Sequence, residues 1–180
     1  MLVKTRGGRP EDSGAMHRFN DSPERPAMYQ RIFVPFDGSG PSLQGLDQAI
    51  ALAKSSSARL RVAYEIDELI GATGFESYAI YARDVLAAMR RTGEGILALA
   101  RERANEAGIA AETELFESGG HNIAARIVEH AMLWQADLIV IGSHGRRGAP
   151  RFFMGSDAEN IVRLAPMPVL VVREAHAAAL

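Results

Sequence analysis

The stretch from Asp137 to Glu159 has the residue pattern of a strand, a glycine-rich loop and the start of a helix. Its glycines follow a short apolar run and precede a helical pattern that begins near Ser156: Gly142, Gly145, Gly148 and Gly155. Glycines let backbone N–H groups approach a ligand closely, and the first turn of a helix adds unpaired donors and a positive dipole end. The pattern favours an anion site, with phosphate as the natural ligand. The alternative is that the glycines only allow the loop to turn.

A second candidate, Asp37, follows the first apolar run of the chain, at residues 32–36. After it, apolar residues recur from Leu43 to Ala53 with the period of a helix. Ser39 or Ser42 is expected to cap this helix, with Pro41 near its first turn. Asp37 therefore lies between a predicted strand and a predicted helix, as the glycine-rich loop does.

Strands and helices alternate from Tyr29 onward. Strands are predicted at residues 32–36, 59–64, 109–116, 138–141 and 168–173, and helices at about 43–53, 77–107, 118–134 and 156–164. An interruption of the second helix is expected at Gly93 and Gly95, and Gly108 is expected to cap its C-terminus. This alternation predicts an α/β fold, an open doubly wound five-stranded parallel sheet with helices on both faces.

The strand order decides where a ligand binds. If it is 3-2-1-4-5, it reverses between the first and fourth strands, and open doubly wound sheets bind ligands at such a reversal. Asp37 follows the first strand and Gly142 follows the fourth. We therefore expect both in one crevice, which supports the anion-site interpretation of the glycine-rich loop.

The composition is that of an ordinary globular protein with one domain. The chain has 180 residues, 47% of them hydrophobic, and a net charge of -2, so neither nucleic acid nor a membrane is expected as a partner. The absence of cysteine excludes disulfides and thiolate chemistry and fits a cytoplasmic protein. We expect a disordered or loosely ordered extension at residues 1–28, a domain at 29–174 and a tail at 175–180.

Three spaced motifs resemble those of the universal stress protein family. They are VPFDGS at 34–39, GSHG at 142–145 followed after nine residues by GS at 155–156, and APMPVLVV at 165–172. The resemblance covers about Tyr29 to Arg173. Family members with the full glycine pattern look like ATP binders, so the resemblance implies ATP, with Mg²⁺, as the ligand. It also implies a homodimer through the last strand, residues 168–173, and a regulatory role in stress responses with a protein partner that the sequence does not identify.

The resemblance assigns nucleotide contacts to particular residues. Pro35 and Asp37 would lie by the adenosine part, with the Asp37 carboxylate accepting from a ribose hydroxyl, and Tyr64 and Glu65 would lie near adenine. The glycine-rich loop would lie under ribose and phosphates with Gly142, Ser143, His144, Gly145, Arg146 and Arg147. The terminal phosphates would be held by Gly155, Ser156 and Asp157.

Two positions depart from the family pattern, which commonly has apolar residues there. Asp157 either stabilises the start of its helix by about 0.3 to 1 kcal/mol or points into the site, where it repels phosphate unless a divalent cation intervenes. Glu65 would reach adenine only through its backbone.

Other functions stay open at this point. His144 has no evident acid or nucleophile partner, so it is interpreted as a loop or ligand-contact residue, and Arg146 and Arg147 either neutralise phosphate or form a solvated face. The glycine-rich loop lacks the lysine of a Walker motif. Catalysis is therefore expected to be absent or limited to slow ATP hydrolysis. The alternatives are an ATPase or nucleotidyl-transfer enzyme of a related adenosine-binding fold, or an interaction module without nucleotide.

Overall fold

The computed structural model describes residues 28–66, 84–117, 122–143 and 154–173. Nine helices and strands alternate along these residues. The strands are β1 (Arg31–Pro35), β2 (Arg59–Ile66), β3 (Ala111–Glu117), β4 (Leu138–Gly142) and β5 (Val169–Val172). The helices are α1 (Gly40–Ser56), α2 (Leu86–Glu106), α3 (Ile123–Leu133) and α4 (Ser156–Leu164).

The five strands form one parallel sheet in the order β3-β2-β1-β4-β5, which confirms the predicted fold class. The order reverses between β1 and β4, where Ile32 lies beside Leu138 and Phe33 beside Ile139. At the amino end of these strands, the Asp137 carboxylate accepts the backbone N–H groups of Gln30 at 2.7 Å and Arg31 at 3.0 Å. The two switch-point strands are thus tied together at the end opposite the candidate site.

Side-chain alternation along the strands builds a separate core on each face of the sheet. On one face, α1 and α2 cover Ile32, Val34, Leu60, Val62, Leu138 and Val140. On the other, α3 and α4 cover Phe33, Ala63, Phe116, Ile139 and Ile141. Residues on both sides of β1 and β4 are apolar because helices bury both faces, as a parallel sheet requires.

Local capping explains most of the helix bounds. Ser39 is the N-cap of α1, as predicted, and its hydroxyl accepts the Ser42 N–H at 3.4 Å. Gly108 has a φ of +79° just after α2 and donates its N–H to Asn105 O at 2.9 Å. The third helix, in contrast, begins later than predicted, because Asn122 is its N-cap and accepts the N–H of Ala124 at 2.9 Å.

The predicted interruption of α2 at Gly93 and Gly95 is wrong, since the helix runs through both residues. A Cβ at Gly93 would lie 2.6 Å from Leu115 Cδ1 and 2.7 Å from Tyr64 Cδ1. Glycine at this position therefore lets the helix approach β2 and β3 closely. A Cβ at Gly95 would meet nothing within 4 Å.

Among the residues that the structure describes, no helix combines the length and the apolar character that crossing a bilayer demands.

Candidate functional site

Asp37 lies just beyond the carboxyl end of β1 in a fixed orientation. Its Oδ1 accepts two hydrogen bonds from Ser39, from the backbone N–H at 2.9 Å and from the hydroxyl at 2.6 Å. The intervening Gly38 has a φ of +79°, a conformation that L side chains rarely adopt. The Phe36 N–H donates to Ala63 O at 2.8 Å, so this turn is also attached to β2. The carboxylate is therefore held in place before any ligand arrives.

Gly142, at the end of β4, packs against the first turn of α1. A Cβ on this residue would lie 2.6 Å from the carbonyl carbon of Pro41 and 2.8 Å from the Ser42 nitrogen. Because both are backbone atoms, they have little freedom to move away. The first glycine of the loop is thus required for packing of strand on helix, whatever it also does for a ligand.

The two predicted halves of the site meet through this turn of α1. Gly142 touches Ser42, whose N–H donates to the Ser39 hydroxyl, and that hydroxyl donates to Asp37 at 2.6 Å. The end of β1 and the end of β4, more than a hundred residues apart in the chain, are therefore joined by direct contacts.

Ser143 connects the end of β4 to two further elements. Its N–H donates to Val172 O on β5 at 2.8 Å, and its carbonyl accepts the Gly155 N–H at 2.9 Å. The Ser143 side chain is buried. Both ends of the segment 144–154 are consequently fixed to one another.

Helix α4 begins directly after Gly155, the residue that donates to the Ser143 carbonyl. Gly155 is the N-cap and provides no side chain to cap the helix, and the Glu159 N–H makes the first intrahelical bond, to Gly155 O at 2.9 Å. Ser156 and Asp157 are exposed on the first turn. The first N–H groups of a helix have no partner within it, so this end presents donors and a positive dipole end.

Two acidic residues lie in the first turn of α4, Asp157 and Glu159. Glu159 forms an i,i+4 pair with Arg163 at 2.8 Å. Carboxylates at this end of a helix stabilise it by about 0.3 to 1 kcal/mol each. The exposed position of Asp157 thus has a sufficient structural reason.

At the end of β2, Tyr64 and Glu65 face opposite sides of the sheet. The Tyr64 ring packs on Gly93 of α2 and joins the core on that side. Both carboxylate oxygens of Glu65 are buried. Glu65 is the register partner of Phe116 on β3, which belongs to the other core.

Four of the predicted site residues, His144, Gly145, Arg146 and Arg147, lie outside the described residues. Within the part of the chain that the structure describes, no cluster of three or more His, Asp or Glu side chains could hold a metal ion.

The geometry suits a ligand with hydroxyl groups at one end and phosphate at the other. A fixed carboxylate accepts from hydroxyl groups and repels phosphate, whereas the start of α4 attracts phosphate.

Sequence reasoning recognised Ser39 only as a helix cap and missed Val172. The Asp-Gly-Ser spacing could have revealed the first, since a Ser two residues after an Asp can donate to its carboxylate. The contact of Val172 depends on strand order and carries no local signal.

Charged side chains cover the β2–β3 region of the sheet on its α3 side. Arg59 donates to Glu112 Oε1 and Arg61 to Glu112 Oε2, at 2.5 and 2.6 Å. Burial raises the pKa of Glu112, but the hydrogen bonds from Arg61 and Arg59 outweigh it and hold the pKa below its usual value. Both guanidinium groups also lie over the Trp134 ring, at 5.8 and 4.8 Å from its centroid. This network supports the sheet at some distance along β2 from the candidate site.

Comparisons with a family model, with related sequences and with solved structures all match the same protein family. A sequence model of the universal stress protein family matches residues 28–173. The universal stress protein MJ0531 of Methanocaldococcus jannaschii is 33% identical over 149 residues, which are 82% of this chain and 84% of that protein. A crystal structure of a universal stress protein family member from Burkholderia pseudomallei is 31% identical, with a TM-score of 0.64, over 81% of this chain and 97% of that one. A universal stress protein solved in complex with cAMP is 29% identical, with a TM-score of 0.56, over 81% of this chain and 97% of that one.

Proposed function

Because the chain belongs to the universal stress protein family, we propose that it binds ATP, with Mg²⁺, and acts as a nucleotide-dependent regulator of a cytoplasmic stress response. The observation that carries the proposal is the contact chain from Gly142 through Ser42 and Ser39 to Asp37. Through these contacts a fixed carboxylate is joined to Gly142, the last residue of β4, at the reversal of strand order. Ligands of open doubly wound sheets bind at such a reversal. The related protein in complex with cAMP supports an adenine nucleotide as the ligand.

In this proposal the nucleoside lies at the carboxyl ends of β1 and β2. Pro35 ends β1 and borders the nucleoside, and Asp37 accepts a hydrogen bond from a ribose hydroxyl. Because the Tyr64 ring is packed on Gly93, Tyr64 contributes its backbone to the base. Glu65 follows it at the end of β2 and also acts through its backbone.

The phosphates lie between the glycine-rich loop and the start of α4. Gly142 and Ser143 precede the loop residues His144, Gly145, Arg146 and Arg147. Gly155, Ser156 and the N–H of Asp157 hold the terminal phosphate, since these donors belong to a helix end that no side chain of the N-cap residue covers. Mg²⁺ reduces the repulsion between phosphate and the Asp157 carboxylate.

The dimer we propose forms through β5. This strand is at the edge of the sheet and contains Leu170, which is 38% exposed. An unpaired apolar edge strand is a template for pairing with another strand. A second copy of the chain would cover it and extend the sheet across both protomers.

Calorimetric titration of the purified protein with ATP, ADP, AMP and cAMP, with and without Mg²⁺, tests the proposal. Asp37→Ala should weaken ATP binding by about tenfold or more, because it removes a hydrogen bond to a charged group. Asp47→Ala is the matched control, since Asp47 is a half-exposed carboxylate on α1 that pairs with Arg103. Absence of binding by the unaltered protein at about millimolar ATP and Mg²⁺ would overturn the proposal.

The rate of phosphate release from ATP distinguishes a regulatory protein from an ATPase. Gly155→Asp places a carboxylate where the terminal phosphate would bind and should abolish binding. We expect phosphate release from ATP by the unaltered protein to stay close to the rate of this variant. Release well above it would favour the ATPase alternative.

A further inference from the structure

His130, on the sheet-facing side of α3, is held between an anionic and a cationic side chain. Its Nδ1 lies 2.6 Å from Glu114 Oε1 on β3, and its Nε2 lies 3.3 Å from Arg126 Nη2 on the preceding turn of α3. The ring stacks on Phe116, with 3.8 Å between centroids and 10° between planes. The side chain is 15% exposed, so these partners form most of its surroundings.

These contacts fit a neutral imidazole with its proton on Nδ1. An arginine N–H can only donate, so Nε2 must accept from Arg126, and a carboxylate accepts, so Nδ1 donates to Glu114. Both ring nitrogens are then satisfied. A second proton on the ring would turn Nε2 into a donor that faces another donor, beside a like charge.

We propose that His130 is a proton-sensitive switch that controls where Arg126 lies at the start of α3. When the ring gains its second proton, Arg126 leaves Nε2 and keeps only its pair with Glu129, which it already contacts at 2.6 Å through Nη1. Arg126 Nε is buried and makes no hydrogen bond within the described residues. The guanidinium group is therefore incompletely held in its present position, and a second partner is within reach.

The surrounding charges favour a local change over an unfolding of the region. From β2, Arg61 donates to Glu114 Oε2 at 3.0 Å and to Glu112, so Glu114 stays in place when the ring becomes a cation. From α3, Glu129 remains beside Arg126. From the end of β2, the buried carboxylate of Glu65 faces the same side of the sheet as Phe116, its register partner, which stacks on the ring.

The switch lies close to the carboxyl edge of the sheet. The Arg126 N–H donates to Asn122 O at 3.1 Å, so Arg126 belongs to the first turn of α3. Phe116, which stacks on His130, is the register partner of Glu65 at the end of β2. A charge change at His130 thus acts on the start of α3 and on the end of β3, which pairs with the end of β2.

Heteronuclear NMR of the histidine rings and the arginine Nε groups tests the switch without any ligand, between about pH 8 and pH 5, where imidazoles change charge. We expect the Arg126 Nε resonance to move with the same midpoint as the His130 ring. In His130→Gln that movement should vanish, whereas in the control His176→Gln it should persist. A resonance of Arg126 that ignores the midpoint of His130, or that still moves in His130→Gln, would overturn the proposal.

A second measurement asks whether the switch reaches the nucleotide, and it rests on the proposed function. The ATP affinities of the unaltered protein and of His130→Gln are compared at about pH 8 and about pH 5.5. We expect the ratio of the two proteins' ATP affinities to differ by about twofold between the two pH values. This is the size of the effect that a like-charge i,i+4 pair has on its helix. A constant ratio contradicts the link to the site. If ATP binds at neither pH, the proposed function fails while the NMR experiment still decides the switch.

Discussion

The backbone N–H of Gly155 donates to the carbonyl oxygen of Ser143 at 2.9 Å, which ties the start of α4 to the end of β4. The bond fixes the distance between Ser143 and Gly155. Any ligand held by both Ser143 and the first turn of α4 therefore binds between two points whose separation is fixed in advance. Fixing such points before binding reduces the entropy lost when the ligand is captured.

Replacing Gly142 by alanine should destabilise the fold. The new Cβ would lie 2.6 Å from the Pro41 carbonyl carbon, and backbone atoms on both sides have to shift. Overpacking of this kind costs about 1 to 3 kcal/mol. Urea unfolding followed by circular dichroism measures the loss, and an unchanged midpoint would show that β4 and α1 separate easily.

The two central glycines of α2 offer a matched comparison. Gly93→Ala should lower the free energy of unfolding, because its Cβ would meet Leu115 at 2.6 Å and Tyr64 at 2.7 Å. Gly95→Ala should raise it by about 1 kcal/mol, since nothing lies within 4 Å and alanine has the higher helix propensity. Thermal unfolding of both variants shows whether each substitution raises or lowers the stability. Equal shifts would contradict the close packing assigned to Gly93.

Ser39→Ala should cost about 1 kcal/mol of stability, the usual effect of losing an N-cap side chain. It should also weaken nucleotide binding, because the Ser39 hydroxyl orients the Asp37 carboxylate at 2.6 Å. Ser55→Ala is the control, as Ser55 lies near the opposite end of the same helix and its hydroxyl bonds Leu52 O. Calorimetric titration and urea unfolding separate the two effects. A variant that loses stability but keeps its affinity would limit Ser39 to capping.

Glu112 should make stability depend on acidic pH. Its pKa in the folded protein is below the ordinary value of 4.5, so its contribution is present above that pH and is lost as the pH falls through the folded-state pKa. At neutral pH, Glu112→Gln should be destabilised by about 0.5 kcal/mol, a modest value because the side chain is partly exposed. The difference from the unaltered protein should disappear in acid. Urea unfolding over this range measures it, with Glu94→Gln on α2 as the control.

Leu170→Asp should dissociate the dimer proposed to form through β5. The side chain is 38% exposed on an edge strand, and a carboxylate there opposes burial against a second copy. Leu99→Asp on α2 is the control, since Leu99 is 46% exposed. Helix α2 packs on β2 and β3, towards the edge of the sheet opposite β5. Light scattering measures the molar mass of the unaltered protein and of both variants. A monomeric unaltered protein at about micromolar concentration would contradict the proposed dimer.

The fold was predictable from sequence because its signals are local. Apolar runs alternate with helical periods, Ser39 and Gly108 cap as their types favour, and the alternation itself requires a parallel sheet. The start of α3 was misplaced because serine and glycine at 118–120 carry turn signals that resemble a helix start. Asn122, an equally good capping type, is the residue whose side chain accepts the first N–H groups of the helix.

Roles that depend on contacts between distant elements could not be predicted. The glycine pattern correctly marked a strand end at Gly142, but only the structure relates that glycine to Pro41. Likewise, the pairing of His130 with Glu114 depends on how α3 lies across β3, and no local pattern in the sequence predicts it. The predicted nucleotide contacts all stay predictions, and the structure adds the hydrogen bonds that hold Asp37 and Gly155 in place.

The bond from the Ser143 N–H to Val172 O has a consequence for synthesis on the ribosome. The chain emerges from its amino end, so Asp37 and the glycine-rich loop are both made before β5 is. Until β5 has emerged and paired with β4, Ser143 lacks this anchor. A growing chain would therefore hold Ser143 in its final position only after its last strand has paired, and any ligand that contacts Ser143 would bind only to the completed sheet.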